Sequence, residues 1–399
     1  MGCLYTLPAK VSRHARHCLL ALVFALACIP AHGAGYGSFT PGHYVYTVAS
    51  TLDEGHVFDF LNARTKDGQV VFRGVQRVYY WGDLEQQWFH NYQWKQIDDE
   101  IAAIQANNIA HGADQKLIIQ FSYKCWETAG GQWNFPDYIK ENRKNGTLGA
   151  GPYGDPAIGG TGPGYYVAPG MKKNLHPYVW NPAVQARMKE MLKALGQRYD
   201  SHAMLECVNM CESSHNGGTV NEDAYGDAMV QNMINMKAAF PTTWIIQYAN
   251  FPISQQFKWA NASLANQIGW GGPDVVSSDA NVGANLVGTN NNPRTYAFYY
   301  NHWKFARVNG HAVLDNCIKG CAVQNEDYDW ANGFEQNYIN ATQKLHLNYM
   351  FWQAQYSKSR NTQIINFVRG KVEENGITGG MNSRYPGNTA VGRLAYQYQ

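Results

Sequence analysis

The groups with the clearest capacity for chemistry in this 399-residue chain are carboxylates, amides and imidazoles gathered at the ends of apolar runs. Foremost is Ala203 to Asn216, Ala-Met-Leu-Glu-Cys-Val-Asn-Met-Cys-Glu-Ser-Ser-His-Asn, where an apolar run of strand character opens into carboxylate, hydroxyl and imidazole groups. A buried strand reads this way where its C-terminal end borders a site. Glu212 stands at that transition, and a carboxyl facing a cleft can have its pKa raised by burial and act as a general acid near neutral pH. Similar transitions release Trp81, Asp83 and Glu85, then Trp126 and Glu127, then Asn209 and His215 beside Glu212. Further along they release Asn250, Asp279 and Asn281, Asp315 and Asn316, and finally Trp352 and Gln353. Each has a structural alternative. Asp279 can cap a helix, Glu85 can be a solvated first-turn residue, His215 a hydrogen-bonded core residue, and Trp126, Trp133, Tyr166 and Trp180 core aromatics. Glu206 precedes Glu212 by six residues. An extended strand points both to the same side, so a deeper Glu206 must be paired or protonated.

The elements that must position these groups alternate. Strands are expected at His56 to Leu61, Val70 to Trp81, Lys116 to Tyr123, from Ala203 onward, at Trp244 to Asn250, Asp274 to Asp279, His311 to Cys317 and Leu347 to Gln353. Helices are expected around Ile97, Ile101 and Ile104, from Asn181-Pro182 to about Tyr199, over Glu222 to Phe240, in a less defined stretch reaching Gly269, and over Tyr296 to Val308, Trp330 to Leu345 and Thr362 to Glu374. Met229, Met233 and Met236 read as core packing. The segment Thr128 to Trp180 is long and irregular but rich in aromatics, which favours a cleft wall over a disordered linker. Seven strands are clear. An eighth near the N-terminus closes a (β/α)₈ barrel in one domain spanning 35–399, and without it the pattern fits an open doubly wound sheet. No Gly-x-Gly-x-x-Gly or Walker-type loop supports the open sheet.

Composition narrows the partner. Residues Met1 to Ala34 carry Lys10, Arg13 and Arg16, then the apolar run Cys18 to Ile29, then Pro30-Ala31-His32-Gly33-Ala34. This is the order of a secretory signal, with an apolar core too short to span a bilayer. The expectation is a secreted or periplasmic protein without a membrane span; a lipoprotein signal at Cys28 fits less well. Charged residues make up 16% of the chain and aromatics 14%, with a formal net charge of +2. That argues against nucleic acid and suits a neutral partner with flat apolar faces and hydroxyls, such as a sugar chain. Three of the eight cysteines lie in the signal-like segment, leaving Cys125, Cys207, Cys211, Cys317 and Cys321. A Cys317–Cys321 bridge fits a turn at Gly320, and Cys125 can meet Cys211 if their strands are neighbours. No Cys-x-x-Cys or matching His pair indicates zinc. Neither a metal nor an organic cofactor is implied.

The alternating pattern, the Trp81 to Glu85 segment, Glu212 at a mid-chain strand end and the final strand Tyr349-Met350-Phe351-Trp352 together resemble the retaining (β/α)₈ glycoside hydrolases of clan A. In that clan the fourth strand ends in Asn-Glu, whose Glu is the acid/base, the seventh ends in a nucleophilic Glu, and the eighth carries a Trp that floors the sugar subsite. Glu212 and Trp352 match by position. Cys211 stands where the clan has an Asn that binds the sugar 2-hydroxyl, and the stretch His311 to Cys317 offers Asp315 instead of a Glu, with Glu326 following in Gln324-Asn325-Glu326-Asp327.

The resemblance implies cleavage of glycosidic bonds in a poly- or oligosaccharide, with Glu212 as proton donor and Glu326 or Asp315 as nucleophile or base. Carboxyls roughly 5 Å apart mean retention and wider spacing inversion. Trp81, Glu85, Trp126, Asn209, His215, Asp279, Trp352 and Gln353 are the expected substrate contacts. A non-catalytic carbohydrate-binding barrel and a polysaccharide lyase are the alternatives.

Overall fold

The computed structural model describes residues 38–384 apart from 87–88, 125–133, 146, 168–174, 216–219, 274, 276–277, 280–283, 286–306, 309–310, 313–317, 324–332 and 356. By contact the chain divides into Met1–Tyr36 and Gly37–Gln399, and all that follows concerns the second unit.

Eight parallel strands close into a barrel: β1 (Gly42–Thr47), β2 (Gly74–Tyr80), β3 (Lys116–Ser122), β4 (Leu205–Met210), β5 (Trp244–Tyr248), β6 (Gly269–Gly272), β7 (Lys319–Val323) and β8 (Tyr349–Gln353). Each pairs with its neighbours in chain order, and β1 pairs with β8 to seal the seam. Between and after them run α1 (Val57–Leu61), α2 (Trp81–Leu84), α3 (Lys95–His111), α4 (Asp137–Lys140), α5 (Pro182–Tyr199), α6 (Glu222–Ala239), α7 (Gln256–Asn266), α8 (Gly333–Ile339) and α9 (Lys358–Asn375). This is the (β/α)₈ barrel expected from the alternation, and the open sheet is excluded. Among the described residues no helix is long and apolar enough to cross a membrane.

Three strands lie elsewhere than the pattern suggests. His56 to Leu61 forms α1, entered through a left-handed His56 at φ 51°, while β1 comes earlier in the Gly- and Tyr-rich lead-in. The sixth strand is Gly269–Gly272 rather than Asp274 to Asp279, and the seventh is Lys319–Val323 rather than His311 to Cys317. Ser278–Asp279 instead pairs with Ala284–Asn285, and Arg307–Val308 with His311–Ala312, each as a short antiparallel ladder.

Alternation along the strands sorts the side chains. Val75, Tyr79, Leu117, Ile119, Phe121, Val208, Met210, Met350 and Trp352 face outward into the core under the helices. Inward positions carry a polar middle layer, where Gln76 Nε2 donates to Asn209 Oδ1 (3.3 Å) and to the Tyr248 hydroxyl (3.0 Å). On β4 the alternation slips: Leu117 pairs with Leu205, but the next residue, Ile118, pairs with Cys207. This bulge at Glu206 lets both Glu206 and Asn209 face inward, three residues apart. Glu206 lies near the N-terminal end of the barrel and accepts from Thr40 N (2.5 Å), Thr40 Oγ1 (2.7 Å) and the Tyr349 hydroxyl (2.7 Å). It is paired, as a buried carboxylate must be.

The long β3–α5 connection is packed. Asn142 Nδ2 donates to the carbonyls of Gly160 (2.9 Å) and Gly162 (2.7 Å), while its Oδ1 accepts from Tyr153 N (2.7 Å). Tyr165–Val167 and Leu175–Pro177 pair as a two-stranded ribbon. α5 begins as its sequence dictates, with Asn181 Oδ1 accepting from Ala183 N (2.7 Å) and Pro182 in the first turn.

Candidate active site

Glu212 emerges just past the C-terminal end of β4, the barrel face on which this fold places its sites. The last ladder bond of β4 runs from Cys211 N to Phe121 O (3.0 Å), and beyond it the chain leaves the sheet. The half-buried Glu212 accepts through Oε2 from Asn250 Nδ2. Asn250 sits two residues past β5, and its amide is locked: Oδ1 accepts from Phe251 N (2.8 Å) and from Ser213 Oγ (3.2 Å), so Nδ2 must face the carboxyl. Asn250 N in turn donates to Ser213 Oγ (2.8 Å).

Lys124, two residues past β3, is buried beside this loop. Its Nζ donates to Glu212 O (2.5 Å), Ser214 O (2.6 Å) and the Tyr225 hydroxyl (3.0 Å). Burial pulls its amine below the usual lysine range, and the nearby Glu212 carboxylate opposes that shift. Burial likewise pushes the Tyr225 and Tyr123 phenols well above their ordinary value, so both remain hydroxyls. His215 packs edge-on against Tyr225 at 5.0 Å. Trp180 approaches the same ring at 6.3 Å, and Tyr166 in turn packs on Trp180 at 5.5 Å, so the long loop brings an aromatic wall to this side. Asp83 is a further acidic group past a strand end, its pKa raised by burial and drawn back by Arg77.

Of the other expected contacts, Asn209 lies inside the barrel, its Nδ2 donating to Ile246 O (3.3 Å). Gln353 ends β8 half-buried, on the inward parity of Tyr349 and Phe351. Trp352 does not floor a sugar subsite. It is wholly buried on the outer side, packed on Phe334 (6.1 Å) and Phe367 (5.7 Å), with Nε1 donating to His43 Nδ1 (2.9 Å). Trp81 and Glu85 are likewise structural. Glu85 is fully buried, Oε2 accepting from Trp81 Nε1 (2.9 Å) and the Tyr138 hydroxyl (3.1 Å), Oε1 from His90 N (2.9 Å) and Arg187 Nη2 (2.5 Å). With every oxygen engaged by protein, Glu85 has no capacity left for a ligand. Glu326, Asp315 and Trp126 lie outside the described residues, as does the side chain of Asp279.

Cys207 and Cys211 are free, buried thiols, so Cys211 is not bridged to Cys125. Burial raises both thiols above their ordinary value, which marks them as inert. Among the described residues no three His, Cys, Asp or Glu side chains assemble into a metal site. Lys124 escaped the sequence reading. Its signal was a single cation two residues after a strand buried from Leu117 to Ser122, where burial of a charge needs compensation.

No family profile and no curated protein matches the sequence. Among solved structures, the catalytic domain of a β-amylase from Paenibacillus polymyxa superposes with TM-score 0.55 at 6% identity, covering 84% of this chain and 99% of that one. A β-galactosidase from Bacillus circulans sp. alkalophilus gives 0.48 at 10% identity, over 86% of this chain and 57% of that one. Endo-glycoceramidase II from Rhodococcus sp. gives 0.41 at 10% identity, over 79% and 73%. At such identity the β-amylase match establishes a shared fold alone, the closed eight-stranded parallel barrel in which the sequence resembles clan A glycoside hydrolases.

Proposed function

We propose that this protein is an exported glycoside hydrolase that cleaves a poly- or oligosaccharide, with Glu212 protonating the leaving oxygen and Glu326 as the second carboxylate. The observation that carries the reading is the Glu212 carboxyl itself, half-buried at the C-terminal end of the fourth barrel strand and aimed by a locked Asn250 amide. The span of β7 favours Glu326 over Asp315. Glu326 follows Val323 by three positions, past the strand's C-terminal end, whereas Asp315 precedes Lys319, where the strand begins. Export rests on the signal-like order of Met1 to Ala34.

Wild type and Glu212→Gln are to be compared on barley β-glucan, xylan, galactomannan and starch by release of reducing ends. At least one polymer is expected to be cut, with a loss of about 10²–10⁴-fold in the variant, the span of general-acid assistance. A wild type that cuts none of them, or a variant that cuts as fast, contradicts the reading. One observation favours a second reading, a carbohydrate-binding barrel without turnover. Cys211, at the position of the clan's sugar-binding Asn, is buried in the hydrophobic core and presents nothing to a 2-hydroxyl. Binding of a polymer by the wild type without new reducing ends supports that alternative.

A further inference from the structure

We propose that Lys124 is the positioning residue that holds Glu212 in its working place, an inference that rests on the reading of Glu212 as proton donor. After Cys211 N the backbone has left the β3 ladder, so the carbonyls of Glu212, Ser213 and Ser214 have lost their strand partner. All three are nevertheless held. Lys124 Nζ donates to Glu212 O (2.5 Å) and Ser214 O (2.6 Å), and the Tyr225 hydroxyl donates to Ser213 O (2.6 Å) while accepting from Lys124 (3.0 Å). An ammonium group has three donors and no acceptor, and these three oxygens use all of them. Tyr123 and Tyr225 flank the cation, each with its ring centre 5.6 Å from Nζ.

The arrangement divides the labour. Asn250 aims the carboxyl from the β5 side, and Lys124 fixes the backbone that carries it from the β3 side. An apolar side chain does not replace this: it would remove the ammonium donors from the Glu212 and Ser214 carbonyls, and the loop would move to compensate. A displacement near 1 Å of a reacting group costs about a hundredfold in rate.

The test uses the full chain with Lys124→Met, Lys124→Arg, Tyr225→Phe and Glu212→Gln, on whichever of the four polymers the wild type hydrolyses. Lys124→Met is expected to lower kcat about a hundredfold with KM within about threefold, the signature of a misplaced group rather than lost substrate binding. Lys124→Arg, which restores a charged donor, is expected to recover to within about tenfold of wild type. Hydrogen exchange reads the loop without reference to turnover: amides of residues 211–215 are expected to exchange at least about tenfold faster in Lys124→Met, with β2 and β3 unchanged.

A folded Lys124→Met with wild-type kcat and wild-type exchange in that segment overturns the proposal. If Lys124→Met does not fold, Tyr225→Phe, which keeps the ring, serves in its place. Faster exchange over 211–215 then supports the proposal, and unchanged exchange overturns it. An inactive Glu212→Gln beside a fully active Lys124→Met removes the role of Lys124 alone. A fully active Glu212→Gln removes the assignment of Glu212, and the catalytic part of the Lys124 proposal falls with it.

Discussion

Glu212 and Trp352 both follow apolar runs and look alike in sequence, but barrel alternation and strand ends separate them. Trp352 takes an outward position on β8 and is consumed by packing, whereas Glu212 lies beyond the last ladder bond of β4, where the chain turns toward the barrel face. Their substitutions are therefore expected to differ in kind. Trp352→Phe removes the indole donor from the buried His43 Nδ1 and is expected to cost about 1–3 kcal/mol of stability, with KM unchanged in the folded protein. Thermal melting together with KM on the hydrolysed polymer checks this, and a raised KM with unchanged melting would restore Trp352 to the sugar site. Glu85 behaves as structure too. Glu85→Gln leaves the Arg187 guanidinium without its buried counter-charge, and a loss of about 3–5 kcal/mol is expected in chemical denaturation. Retained stability with lost activity would point instead to a role at the substrate.

At the scale of elements, what the sequence made legible depended on how local the signal was. The limits of α5 follow from Asn181, Pro182 and the apolar spacing of Val184, Met188, Met191, Leu192 and Leu195, all within the helix or its cap. β6 and β7 lie outside the expected strands because Gly-Trp-Gly-Gly and Lys-Gly-Cys-Ala-Val hold one aromatic residue and one β-branched residue between them, with glycine at four of nine positions, and so carry little of an ordinary strand's signal. The reason lies across the barrel. A Cβ at Gly271 would sit 2.0 Å from Gly320 O, and one at Gly320 would sit 2.8 Å from the Phe351 ring, so these strands stay small to admit aromatic rings from β5 and β8. No local window carries that requirement. The bulge on β4 was equally hidden, and it breaks the parity from which Glu206 and Glu212 were taken to share a side. The bulge predicts that Asn209, now inward, is bound to its layer: Asn209→Leu is expected to destabilise by about 1–3 kcal/mol through the stranded Gln76 donor, measurable by melting. No change in stability would show that the layer is dispensable.

For the whole molecule, closure at the seam creates an acid-sensitive joint. His43 on β1 receives the Trp352 indole proton at Nδ1, so its own proton sits on Nε2 and is donated to Gly379 O (3.1 Å), tying the segment after α9 to the barrel. Burial lowers the His43 pKa from 6.5 to about 4, partly offset by the bond to Gly379. Above pH 6.5 the group is neutral in both states and stability is complete. As pH falls from 6.5 toward 4 the unfolded chain takes up a proton that the folded chain refuses, and about 3 kcal/mol is expected to be lost. Urea denaturation of wild type and His43→Gln at pH 7 and pH 4.5 checks this. The variant should show a smaller drop, and equal drops would assign the acid response to other groups.

The glycosidase account as a whole stands on two carboxyls facing each other across the mouth of the barrel. Its most direct test is a crystal structure that measures the separation of the Glu212 and Glu326 carboxyl groups. The account predicts a value within about 10 Å, near 5 Å for retention and about 6.5–9.5 Å for inversion. Glu326 pointing away from the mouth, or no acid within that span of Glu212, would contradict it.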